Sequence, residues 1–294
     1  MSGCSASQPS TTGPVGMLPQ RAERGYASSA RSWMSPNAKK NSLLYVANFY
    51  GSEVLSYTYP SGQLAGTITG INSAQGECTS KKSHGNWWVV ATGSNQVFEF
   101  EHGGTTPIAT VNISAGVPAS CAVDPKTGNL AVTMIDNDNV VVYAHGSGSG
   151  TIYAAPFQPF FSGYDPKGNL FVDGSGQTPL AELPKGGNGF IPISTNQTIV
   201  FSGGVQWDGH YLAVGDQETS DVYRFTVSGS SATLAGTTAL NGGSAGGFWI
   251  QKNRLITSQS GDVDFWKYPA GGLPIKQITG GFYGPLNMMV STAK

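Results

Sequence analysis

Apolar and polar positions along this chain alternate in short bursts that return at a steady interval. Apolar runs begin at Leu44, Trp88, Leu130, Leu170, Leu212 and Leu255, separated by 44, 42, 40, 42 and 43 residues. Some ten residues after each anchor comes a second, alternating run: VLSYTY from Val54, VFEF from Val97, VVVY from Val140, LAEL from Leu180, VYRF from Val222 and VDFWKY from Val263. Alternation at period two is the mark of a half-buried strand. A Gly- or Pro-containing turn such as Pro60-Ser61-Gly62 or Pro184-Lys185-Gly186 follows, and then a third strand such as QLAGTITG from Gln63. Just before each anchor lies a strand of small residues, for example PASCAV from Pro118 or SGGVQ from Ser202.

Four strands per interval and six intervals predict an all-β, six-bladed β-propeller with four-stranded antiparallel blades. The phrases AVDPKTGNLAVT from Ala122 and GYDPKGNLFVDG from Gly163 state the hairpin that each blade needs. Asp-Pro starts the turn, and Gly128 or Gly168 supplies the left-handed backbone that lets the chain re-enter as a strand. The tail from Tyr283 to Thr292 reads as a seventh innermost strand with no blade of its own. It is predicted to close the ring beside Leu44–Asn48, which removes two open sheet edges, with Trp33–Pro36 packed outside. Residues 31–294 then form the propeller.

The blade syntax resembles NHL-type and TolB-like six-bladed propellers, a superfamily that includes gluconolactonase-like enzymes. The resemblance spans about residues 40 to 292 and speaks to fold more than to function. In the lactonase-like members it implies a divalent cation, calcium being the natural one, held near the axis by Glu, Asn and Asp from several blades. On the connections between second and third strands, the candidates for such a ligand face are Asn48, Asp136, Asp138, Asp173, Asp216 and Glu218. Glu77 joins them from an innermost strand. Glu77, Asp173 and Asp216 form the candidate metal set, because Asp173 and Asp216 follow their anchors directly and are expected to converge. Virginiamycin B lyases, also propellers, place catalytic histidines near the C-terminus, and no histidine follows His210 here.

Composition narrows the classes further. Charged residues are 11% of the 294, glycines number 41, and the net charge is −1. So little charge with so many turn formers fits short strands and excludes a disordered chain. There is no basic stripe for nucleic acid and no apolar run long enough to span a membrane. The opening Met1-Ser2-Gly3-Cys4 resembles the end of a bacterial lipobox, which predicts lipidation at Cys4. Residues 1–30 then serve as a flexible tether, and the protein is expected in the bacterial cell envelope, touching the membrane only through that anchor. Cys78 and Cys121 remain, an even number in a disulfide-permissive compartment. Counted from the hairpin turns, they differ in parity on neighbouring innermost strands and can face one another.

Other chemistry is sparse. His102 and His145 sit at equivalent turns, each followed by glycine, which fits a structural role; His84 and His210 follow innermost strands. No HExxH-type spacing occurs. GGSAG, with Ser244 at its centre, matches a nucleophile elbow only formally, because it leads into a strand and not a helix. The expected function is a monomeric binding or scaffold module for a small molecule, glycan or protein. The alternative is a metal-dependent lactone hydrolase.

Overall fold

A computed structural model describes residues 31–80, 85–176, 179–259 and 261–293. Lipidation at Cys4, the tether and His84 lie outside them. The described chain forms six small antiparallel sheets in a ring, with only two short 3-10 turns, Ala38–Lys40 and Thr92–Ser94. Blades two to six start from the innermost strands Ala74–Thr79, Pro118–Val123, Pro159–Tyr164, Ser202–Trp207 and Phe248–Gln251. Each is followed outward by its anchor strand and the alternating strand.

Blade one is assembled from both ends of the described chain. Its innermost strand is Pro285–Ser291, paired antiparallel with Leu43–Asn48 so that Tyr45 opposes Met289 and Val46 opposes Met288. At its outer edge Trp33–Met34 adds a fifth strand, with Trp33 opposite Thr67. Blade five is also widened at its rim, where Ser194–Thr195 pairs parallel with Ser231–Ala232.

Side chains alternate across every blade, so each sheet is apolar on both faces. Six apolar clusters result, one in each wedge between neighbouring blades. Tyr45, Trp87 and Phe100 stack in the wedge of blades one and two, with centroids 4.1 and 5.0 Å apart. Near the axis the innermost strands crowd together. A Cβ on Gly163 would meet the Val205 carbonyl of the next blade at 2.6 Å, so only glycine fits there.

The repeated hairpin works as its composition requires. The Asp124 carboxylate accepts the Lys126 amide at 2.7 Å, and Gly128, at φ +81, donates its amide to the Asp124 carbonyl at 2.8 Å. Asp165 does the same for Lys167 and Asn169. These Asx turns replace the ladder bonds that the chain gives up on reversing.

Candidate functional site

The innermost strands enclose a cavity of about 840 Å³ on the ring axis. It opens at the turns that join first and second strands, through Pro125, Pro166, Asp208 and Lys252. Its wall is two-sided. Blades four to six contribute Phe161, Tyr164, Trp207, Phe248 and Trp249, whereas the described lining residues of the other three include no aromatic side chain. Their described side is made of Glu77, Thr79, Ser120, Asn287 and Ser291 with cysteine, alanine and valine neighbours. Tyr164, Trp207 and Trp249 keep part of their surface exposed, so the aromatic side is accessible and not only packed.

The cavity carries little usable charge. Among its described lining residues the charged side chains are Glu77, Asp208 and Lys252. Asp208 is committed: it accepts the Tyr268 hydroxyl at 2.6 Å and the amides of His210 and Tyr211, each at 2.7 Å. Lys252 is exposed at the mouth.

Glu77 is the anomaly of the wall. It stands opposite Val89, at the level where Met288, Cys121, Ser162 and Val205 each oppose a valine. It is 4% exposed, and neither carboxyl oxygen has a hydrogen-bond partner of good geometry, the Ala47 N–H making only a weak approach. Burial pushes its pKa well above the ordinary 4.5, opposed only by the backbone N–H of Ala47. The acid is therefore held neutral well above the pH at which a free carboxyl ionises.

Next to it, Cys78 and Cys121 are joined by a disulfide, Cα to Cα 5.7 Å, that ties the innermost strands of blades two and three. Cys78 opposes Trp88 and Cys121 opposes Val132, one register step apart. That offset turns each sulfur toward the wedge the other occupies. A polar counterpart lies between blades five and six. There Gln206 accepts the Ile250 amide at 2.6 Å and donates to the Ile250 carbonyl at 3.0 Å.

The remaining predicted ligand residues do not reach this cavity. Asn48, Asp136 and Asp216 share one structural task, holding the segment that leads into the innermost strand of their own blade. Asn48 accepts the Tyr283 amide, Asp136 the Val117 amide at 2.7 Å, and Asp216 the amides of Val200, Phe201 and Glu218 at 2.8, 3.1 and 3.1 Å. Asp138 and Glu218 are exposed on the same connections. Asp173 is fully buried; one oxygen accepts the Phe161 amide at 3.0 Å, the other has no partner, and burial pushes its pKa well up.

The expected convergence of Asp173 with Asp216 fails on register. Val172 opposes Ser162 and Val214 opposes Val205, so Asp173 corresponds to Gly215, and Asp216 to Gly174. One residue of offset puts the two carboxylates on opposite faces of their blades. Among the described residues no three His, Cys, Asp or Glu side chains come together as a metal site. Glu77, Asp173 and Asp216 do not fit a shared calcium ion.

His145 and His210 are placed by backbone bonds to Asn129 and Asp208. Ser244 lies in a loop where its hydroxyl accepts the Gly246 amide at 3.3 Å. His102 differs from both, because its ring bonds to Ser291 in the cavity wall and to the Asn41 carbonyl. Sequence patterning passes over Tyr164, Trp207, Trp249 and Ser291. Tyr164 and Trp207 close the innermost strands of their blades, and that position is the signal that marks them.

No protein-family profile and no curated protein sequence matches the chain. Among solved structures it is similar to a streptogramin B lyase, with TM-score 0.54 and 13% identity over 84% of this chain and 76% of that one. It is also similar to the β-propeller domain of Cps50 (Swd1) from Myceliophteria thermophila, with TM-score 0.57 and 12% identity over 86% of each chain. At such identities the likeness establishes the architecture alone: this chain is a six-bladed β-propeller.

Proposed function

We propose that this protein is an envelope-located binding module whose axial cavity takes a small uncharged molecule, with a short glycan the best match. One observation carries the reading: the two-sided wall, aromatic on blades four to six and built from polar and small residues on the other described side. The volume falls within the few hundred to about 1,000 Å³ usual for small-ligand sites. Exposed faces of Trp207 and Trp249 suit the apolar face of a sugar ring, and Thr79, Ser120 and Asn287 suit its hydroxyls. With Asp208 engaged and burial disfavouring the ionised form of Glu77, none of the described residues deep in the wall favours an ion. Metal-dependent lactone hydrolysis lacks a ligand set among the described residues.

The test is a panel of neutral di- and trisaccharides titrated against the full chain by tryptophan fluorescence. At least one sugar is expected to quench, with affinity weakened on the order of 10-fold by Trp249→Ala, in line with a lost aromatic contact. Binding that is indifferent to both Trp207→Ala and Trp249→Ala, or no sugar binding at all, overturns the proposal. Chelator treatment is expected to leave the thermal midpoint unchanged.

A further inference from the structure

Ser291 ends the ring-closing strand and lines the cavity beside Gly85, Thr292 and Ala293. Its Oγ lies 2.7 Å from Nδ1 of His102, which comes from the outer turn of blade two. The other ring nitrogen, Nε2, lies 2.9 Å from the carbonyl oxygen of Asn41. A carbonyl only accepts, so in the neutral ring Nε2 carries the hydrogen and Nδ1 presents its lone pair to the serine. The backbone thus selects the tautomer a general base needs. A hydroxyl bonded to a base that a third group orients is the arrangement of an activated nucleophile.

The surroundings keep that base neutral. Burial lowers the His102 pKa, Asn41 opposes, and Lys39 adds to the lowering. Lys39 is paired with Glu101 at 3.4 Å, both exposed, and the Tyr45 hydroxyl is occupied by the Gly103 amide at 2.8 Å. Ser291 Oγ also lies 2.9 Å from the Gly85 carbonyl, which gives its proton a second acceptor. Ser291 is 2% exposed, so only a slim electrophile can reach it from the cavity.

We propose that Ser291 and His102 form a nucleophile–base pair acting on carboxylic esters, lactones included, that enter the axial cavity. Ser291 Oγ adds to the ester carbonyl carbon as its proton passes to His102 Nδ1. The carbonyl carbon–alkoxy oxygen bond then breaks, and the leaving alcohol takes that proton. Water attacks the acyl-serine, gives a proton to Nδ1, and the acid departs as the proton returns to Ser291 Oγ. Ester and water go in; acid and alcohol come out. Asn41 acts only by positioning the ring. This goes beyond the binding reading and does not rest on the aromatic wall.

The experiment treats the full chain with a small fluorophosphonate and maps the adduct by peptide mass spectrometry. Wild type is expected to label at Ser291, at a rate that rises with pH through an inflection below the ordinary histidine value of 6.5. Ser291→Ala abolishes the adduct, and His102→Gln slows it on the order of 10²-fold. No adduct on Ser291 in protein that unfolds cooperatively overturns the proposal, as does a rate flat across pH. Should His102→Gln fail to fold, the wild-type pH profile decides. The labelling is read without any sugar and the sugar titration without the fluorophosphonate, so a failed sugar titration and a failed labelling remain distinguishable.

Discussion

Glu77 shows how one side chain sets a pH dependence. Its carboxyl is buried with no hydrogen bond of good geometry, and its folded pKa is raised by burial. The unfolded chain therefore releases this proton first. The stability that goes with the protonated acid is complete below the ordinary value of 4.5 and is lost as pH rises through the folded value. Glu77→Gln, which keeps the shape and removes the ionisation, is expected to melt near wild type at pH 4. At pH 8 it should be the more stable of the two, because it has no proton to lose on unfolding. Thermal unfolding of both proteins at the two pH values checks this, and parallel profiles would refute it. Asp216 is a contrasting case, because its carboxylate satisfies three backbone amides. Asp216→Ala should cost about 2–3 kcal/mol, by the worth of charged-acceptor bonds. Urea denaturation with and without chelator should show the same loss, whereas a metal ligand would make the loss chelator-dependent.

At the scale of strands and turns, the sequence made the repeats plain and the site obscure. Alternating runs such as VVVY from Val140, spaced by Asp-Pro and glycine turns, can build little other than hairpins, and the strand count follows from them. Cys78 and Cys121 were legible through the same parity rule, since an odd offset on adjacent innermost strands turns two side chains into one wedge. An acid after a strand is less legible. Asp136 and Asp216 look like ligands on paper, yet each is used by amides of its own blade. One residue of slippage between Asp173 and Asp216 was enough to defeat the match between blades, because strand faces alternate at every position. His102 and His145 occupy look-alike turns, and only the distant strand ending in Ser291 sets the first apart. The disulfide closes a span of 43 residues, and its loss in a Cys78→Ser, Cys121→Ser double variant should destabilise the fold by about 2–4 kcal/mol. Equilibrium unfolding under oxidising conditions measures it; a variant as stable as wild type would show that the link contributes nothing.

For the molecule as a whole, stability is shared among six wedges that each need both neighbouring blades. Replacing Gly163 by valine, whose Cβ would sit 2.6 Å from the Val205 carbonyl, should therefore disturb the junction of blades four and five and reach the axial wall through Phe161 and Tyr164. A cost of about 2–4 kcal/mol is expected, typical of overpacking against rigid backbone. Near-UV circular dichroism should change along with the melting temperature; an unaltered spectrum would argue against so tight a contact. Blade one has a consequence of another kind. Its inner strand is Pro285–Ser291, so in a nascent chain emerging from a ribosome blade one lacks its innermost strand until those residues have been made. Until then the ring stays open, and the unpaired edge of Leu43–Asn48 is a template on which a second unfinished chain could dock its own strand.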